Sequence, residues 1–158
     1  MSLDSREFRN ALGRFPTGIC VITANPQGFA PFGMTVNSFA SVSLSPPLVL
    51  WSLQNDSECF AAFEKADKYG VNILAADQTE LSTKYAKKGD HALDSAHYTL
   101  GRHGTPLLRG AVTSFECDIW QRYDGGDHVI LVGKVETMQN STADSPLVFF
   151  SGKYRELR

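Results

Sequence analysis

Hydrophobic and polar residues alternate with period two from Gly33 through Met34-Thr35-Val36-Asn37-Ser38-Phe39-Ala40-Ser41-Val42-Ser43 to Leu44, which predicts one continuous strand. Thr35, Asn37, Ser41 and Ser43 share one face with Phe39, while Met34, Val36, Ala40, Val42 and Leu44 point the other way with Ser38. A half-buried strand ordinarily sets a charged face against its apolar one. This run carries no charge and offers neutral hydrogen-bonding groups, a surface suited to a flat ligand rich in heteroatoms.

Other patterns place elements around it. Asp4 with Glu7 three residues on is a helix-start signature, and Phe8, Leu12 and Phe15 then mark one helical face that Pro16 and Gly18 end. Ile19 to Ala24 is a β-rich run closed by the turn Asn25-Pro26-Gln27-Gly28. Pro46-Pro47 precedes the strand-like Leu48 to Leu53, and Gln54 to Ser57 lead into a short helix with Cys59, Phe60 and Phe63 on its core side. Gly70 is read as the stop of that helix and Val71 to Ala75 as a strand. Asp77 with Glu80 repeats the cap signature for a helix through Leu81, Ser82 and Tyr85 that Gly89 terminates.

From Asp90 to Gly110 the pattern fades into a long surface loop. Val112–Arg122 and Val129–Met138 then flank the turn Tyr123-Asp124-Gly125-Gly126-Asp127-His128, and Leu147–Phe150 adds a last strand. Mostly consecutive strands with three short helices predict a mainly β, antiparallel barrel formed as a single domain over residues 1–158. A doubly wound nucleotide fold is set aside, since no Gly-x-Gly-x-x-Gly follows a strand and no Walker-type Gly-Lys-Ser/Thr occurs.

Composition removes several function classes. With 15 basic and 17 acidic side chains the net charge is -2, which gives no broad attraction to nucleic acid or an anionic membrane. Lys84, Lys87 and Lys88 form the one basic cluster, a solvated helix face with one lysine free to meet a phosphate. Cys20, Cys59 and Cys117 are odd in number and far apart, against a disulfide framework or CxxC metal site and in favour of the reducing cytoplasm. No export signal and no apolar run near the ~20 residues of a membrane span is visible.

The polar segments have the character a flavin nucleotide demands. Its ring wants a flat slot with donors and acceptors along one edge, which Thr35, Asn37 and their backbone groups supply. Its ribityl chain wants hydroxyl and amide partners such as Ser41, Ser43, Ser52 and Asn72, and its phosphate a helix start or lysine such as Ser57, Ser82 and Lys84. Taken singly, each of these residues also reads as a backbone cap or turn former. His128 follows a Gly-Gly-Asp turn and is either a hydrogen-bond donor to a ligand or a local partner of Asp127. His91, His97 and His103 match no compact zinc pattern, and no serine or cysteine stands in a nucleophile setting.

Phe15-Pro16-Thr17-Gly18, the Gly33–Ser41 run, Ser45-Pro46-Pro47-Leu48-Val49, Val71-Asn72-Ile73-Leu74, Gly125-Gly126-Asp127-His128 and Gly152-Lys153-Tyr154 together resemble the flavin reductase domain family. These are the small reductase components of two-component flavin monooxygenases, and the resemblance runs from Phe8 to about Leu157. It implies a split β-barrel that binds FMN or FAD, a homodimer with flavin at the subunit interface, and reduction of flavin by NADH or NADPH for a separate oxygenase. It places Thr35, Val36, Asn37 and Ser38 along the flavin ring and Ser52, Leu53 and Ser57 at the ribityl and phosphate wall. Ser82 and Lys84 fall in the phosphate region, His128 near the nicotinamide, and Tyr154 closes the pocket. The rival readings are a flavoprotein with tightly held FMN, serving as electron carrier or metal or corrinoid reductase, and a non-catalytic flavin-binding module. Phe32, bulky before the Gly-Met-Thr motif, and the short tail after Tyr154 depart from the family pattern.

Overall fold

The computed structural model describes residues 2–158. In chain order its elements are α1 (Ser5–Leu12), β1 (Thr17–Gly18), β2 (Cys20–Ala24), β3 (Phe32–Val36), β4 (Ala40–Leu44), β5 (Pro47–Gln54), α2 (Phe60–Lys65) and β6 (Lys68–Ile73). There follow α3 (Thr79–Ala86), a 3₁₀ turn (Ser95–His97), β7 (Tyr98–Leu100), β8 (Pro106–Leu108), β9 (Thr113–Gly125), β10 (His128–Asn140), β11 (Val148–Phe150) and β12 (Lys153–Arg155). Seven strands form one antiparallel sheet in the order β3, β2, β6, β9, β10, β5, β4.

The alternating run is two strands. β3 and β4 lie at opposite edges of the sheet, yet only Asn37, Ser38 and Phe39 join them, a link that spans roughly 14 Å at most. The sheet must therefore curl until its two edges approach at this link without pairing, which makes a split antiparallel barrel. Ser38 secures the seam: the Ser52 N–H of β5 donates to its hydroxyl at 3.0 Å. Period two cannot signal such a break, because Asn37 and Ser38 keep the alternation while leaving the ladder.

Aromatic side chains fill the barrel. Phe63 of α2 meets Phe32 and Trp51 edge-on, each at 4.8 Å between ring centroids, and Trp51 meets Tyr69 at 5.9 Å. Cys59 and Phe63 are buried and Phe60 packs against the same core, as the helix pattern predicts. Arg122 caps the exit of α2 by donating to the carbonyls of Phe63 and Ala66, both at 3.0 Å. A second cluster of Ile19, Val21, Leu74, Tyr85, Leu108 and Leu147 seats α3 outside the sheet.

Other sequence expectations divide. The Glu7 N–H donates to the Asp4 carboxylate at 2.9 Å, so α1 starts as its cap signature says. Asp77 caps nothing at α3; Gln78 stands there, and its side-chain oxygen accepts the Ala75 N–H at 2.9 Å. Gly70 does not stop a helix. It lies inside β6, where a Cβ would run into the Thr23 hydroxyl and the Pro106 carbonyl, so close approach requires the glycine. The region 90–110 is not structureless: it holds the 3₁₀ turn and the β7–β8 hairpin. Glu116, a buried carboxylate of β9, binds the far end of that hairpin by accepting the N–H groups of His103 and Thr105 and the Thr137 hydroxyl. No helix among the described residues is long and apolar enough to cross a membrane.

Candidate functional site

β3 is an edge strand, and one contact fixes which of its backbone groups stay open. Gly33 turns both its N–H and its C=O away from β2, the N–H to the His91 carbonyl at 2.8 Å and the C=O to His91 Nδ1 at 3.0 Å. In an antiparallel ladder alternate residues face the same edge, so Thr35 directs its own N–H and C=O outward, one step beyond the His91 loop. A donor and an acceptor side by side on an unpaired strand edge form a hydrogen-bonding comb for a flat ring. The Thr35 hydroxyl is already engaged, donating to the Ser82 carbonyl of α3 at 2.7 Å.

Several sequence-selected residues gather at this edge. Ser82 is fully buried, and its hydroxyl shares a 2.7 Å hydrogen bond with the Tyr154 hydroxyl, which brings the β11–β12 hairpin over Thr35. On the other side of β3, Ser57 sits 3.9 Å from the Met34 sulfur and accepts the Cys59 N–H at 3.1 Å. Ser38 and Ser52 meet at the seam, Leu53 is buried in the core, and Val36 packs beneath. Asn37 is exposed and lines a cleft of about 750 Å³ together with Arg9, Arg14, Phe149 and Ser151. Ser41 is exposed on β4, at the outer edge, with Ser43 on the same strand.

Asn72 does not join this group. It is wholly buried in β6, where its amide nitrogen donates to the Val21 carbonyl at 3.0 Å and the Thr23 hydroxyl at 3.2 Å. Its amide oxygen accepts the Leu108 N–H at 2.9 Å and the Ser114 hydroxyl at 2.8 Å. Every polar group of the side chain is satisfied within the chain, so the expected ribityl contact is corrected to a structural one.

Charge is concentrated on the α3 side. Lys84 donates to Asp90 at 2.9 Å and lies 4.5 Å over the Tyr85 ring; that hydrogen bond holds the Asp90 carboxyl below the usual carboxylate range. Lys84 is therefore placed rather than loose. His128, at the start of β10, has Nδ1 2.6 Å from the Asp127 carboxylate and pairs across the ladder with Gln54, two residues from Ser52. Burial pushes the Cys20 thiol up to about 12, and burial with the nearby Glu58 charge pushes Cys59 up to about 11. Neither thiol is a nucleophile near neutrality. Among the described residues no group of histidine, cysteine and carboxylate side chains could hold a metal.

Comparison with known proteins decides the family. Residues 12–158 match the flavin reductase like domain. The chain belongs to that family. This flavin reductase-like chain is 45% identical over 152 residues to an NADH-dependent FMN reductase, SmoA, of Agrobacterium fabrum, covering 96% of the chain and 85% of the relative. It is 33% identical over 153 residues to HsaB of Rhodococcus jostii, the reductase subunit of a flavin-dependent monooxygenase, covering 97% and 78%. Among solved structures, the NADH:FAD oxidoreductase SgcE6 of Streptomyces globisporus, in complex with NAD and FAD fragments, superimposes with a TM-score of 0.92 at 36% identity over 100% and 98% of the two chains.

The donor set of this flavin reductase-like domain fits a flavin nucleotide. The open edge at Thr35 matches a neutral ring edge that both donates and accepts. Ser57 and Lys84 would offer a hydroxyl and a cation to a phosphate, and the carboxylates nearby, Asp90 and Glu58, are paired by Lys84 and His91. Two features escape a sequence reading. Arg9 and Arg14 face one cleft although nothing in their spacing marks a phosphate site, and His91 bridges Gly33 to Glu58 from within an apparently featureless loop. Only the His-rich composition of that loop hinted at the last.

Proposed function

We propose that this chain transfers a hydride from NADH to FMN or FAD and releases the reduced flavin to a separate oxygenase. The observation that carries the reading is the open backbone edge of β3 at Thr35, framed by Ser82 and Tyr154, in a chain similar over nearly its whole length to NADH-dependent flavin reductases. Thr35, Val36, Asn37 and Ser38 border the ring. Ser52, Leu53 and Ser41 border the ribityl chain, Ser57, Ser82 and Lys84 the phosphate, and Tyr154 closes the pocket over Ser82.

Bound flavin supplies the hydride acceptor, its N5, to the nicotinamide C4. The chain contributes position and field. An N–H fixed on a strand edge loses little freedom when charge builds on the ring edge opposite, so it stabilises the transition state more than the oxidised ground state. Holding two flat rings in register removes the entropic part of the barrier and needs no covalent group. His128, steadied by Asp127, orients the nicotinamide carboxamide, and Arg9 with Arg14 gives the cleft beside Asn37 a positive wall for the dinucleotide phosphates. Changing His128 to Ala is expected to raise the KM for NADH several-fold with a smaller change in kcat; an unchanged KM removes it from that role.

The proposal includes a homodimer in the cytoplasm. Phe8, Leu12 and Phe15 form an uncovered apolar face on and just beyond α1, next to the cleft, which supports a second protomer there. Three free, buried thiols suit a reducing compartment.

Two measurements check the reading. Lys84→Met is expected to weaken FMN binding about tenfold and riboflavin binding less than about twofold, because only FMN carries the phosphate. Titrating added FMN or FAD into an NADH oxidation assay is expected to give saturable turnover with little activity in its absence. A purified yellow protein that turns over without added flavin would favour the tightly held cofactor instead, and colour without NADH oxidation would favour a binding module.

A further inference from the structure

The His91 side chain joins three segments of the site. It leaves the loop after α3, its ring is largely covered, and its side chain is 14% exposed. Nδ1 lies 3.0 Å from the Gly33 carbonyl, which can only accept, so Nδ1 carries a proton. Nε2 lies 2.8 Å from Glu58 Oε1. A neutral imidazole has a single N–H, and Gly33 already takes it, so the second contact requires one further proton between Nε2 and Oε1. The Gly89 N–H also donates to that oxygen at 2.5 Å, so the same carboxyl ties the loop after α3 to the segment before α2 twice.

We propose that His91 is a positioning residue for the phosphate side of the flavin site, and that its clasp on Gly33 and Glu58 sets the affinity for phosphate-bearing flavins. This rests on the functional reading above. Gly33 begins the open edge, Glu58 follows Ser57, and the loop carries Asp90, which holds Lys84. The same clasp therefore sets the relative position of the ring edge, the phosphate hydroxyl and the phosphate cation. His91 contacts Glu58 from the segment before α2 and the Gly33 carbonyl of β3, and its neighbour Asp90 is paired with Lys84 of α3. Cys59, next to Glu58, stays a thiol because burial pushes it up to about 11.

Loss of the clasp frees the loop that positions Lys84, which weakens FAD but not riboflavin.

Fluorescence titration of FAD and riboflavin tests this, since only FAD carries phosphate. His91→Leu is expected to bind FAD about fivefold more weakly than wild type, with riboflavin changing less than about twofold. Glu58→Leu, which removes the other side of the clasp, is expected to show the same selective loss. Thermal melts identify any variant that fails to fold, and the remaining variant then carries the test. An unchanged FAD affinity in the folded variants, or equal losses for riboflavin and FAD, would each overturn the inference and leave the functional reading standing. A wild type that binds neither flavin overturns both.

Discussion

Asn72→Leu is expected to lower stability by roughly 3 kcal/mol or more while the flavin affinity of the folded molecules stays within about twofold of wild type. Leucine shares the branching and heavy-atom count of asparagine but is bulkier, so the loss combines overpacking with the polar groups left behind. The Leu108 N–H, the Ser114 hydroxyl and the Val21 carbonyl each lose a partner in a dry interior. At about 1 to 3 kcal/mol for each such group, partial relaxation still leaves a large deficit. The side chain ties β2, β8 and β9 to β6, so the melt should remain cooperative and shift downward as a whole. A stability change below about 1 kcal/mol, or a selective loss of flavin affinity, would return Asn72 to the binding site.

Thr35→Pro is expected to fold and to lose flavin affinity by about tenfold to a hundredfold. Proline is tolerated on an edge strand where its missing N–H faces outward, and β3 pairs only with β2. The substitution removes the donor of the open edge and leaves a ring acceptor unpaired, which costs about 1 to 3 kcal/mol. It also removes the hydroxyl bonded to Ser82, so Thr35→Val serves as the control. Thr35→Val loses that 2.7 Å bond but keeps the N–H, and its flavin affinity should stay within about threefold of wild type. If the two variants bind flavin alike, the backbone of Thr35 is not what holds the ring.

What the sequence revealed is what local chemistry decides. The Asp4 cap, the apolar run of β2, the core face of α2 and the long β9–β10 hairpin all follow from neighbours a few residues apart. What it concealed depends on distant partners. The end of β3 at Val36 is set by barrel closure and by the Ser38 bond to β5. Gly70 looks like a helix stop until Thr23 and Pro106 are seen against it. Asn72 and Ser52 have the same polar character in sequence, but only the packing of β2, β8 and β9 around Asn72 shows that nothing of it is left for a ligand. Glu58 and His91 lie thirty-three positions apart, and no spacing rule joins them.

Direct passage of a hydride between two bound rings is tested by anaerobic single-turnover mixing of protein and FAD with NADH deuterated at C4. Bleaching of the flavin should be fast, protein-dependent and slowed several-fold by deuterium on one face of C4 but not on the other. Bleaching no faster than in free solution, or an equal rate with both deuterated forms, would contradict it.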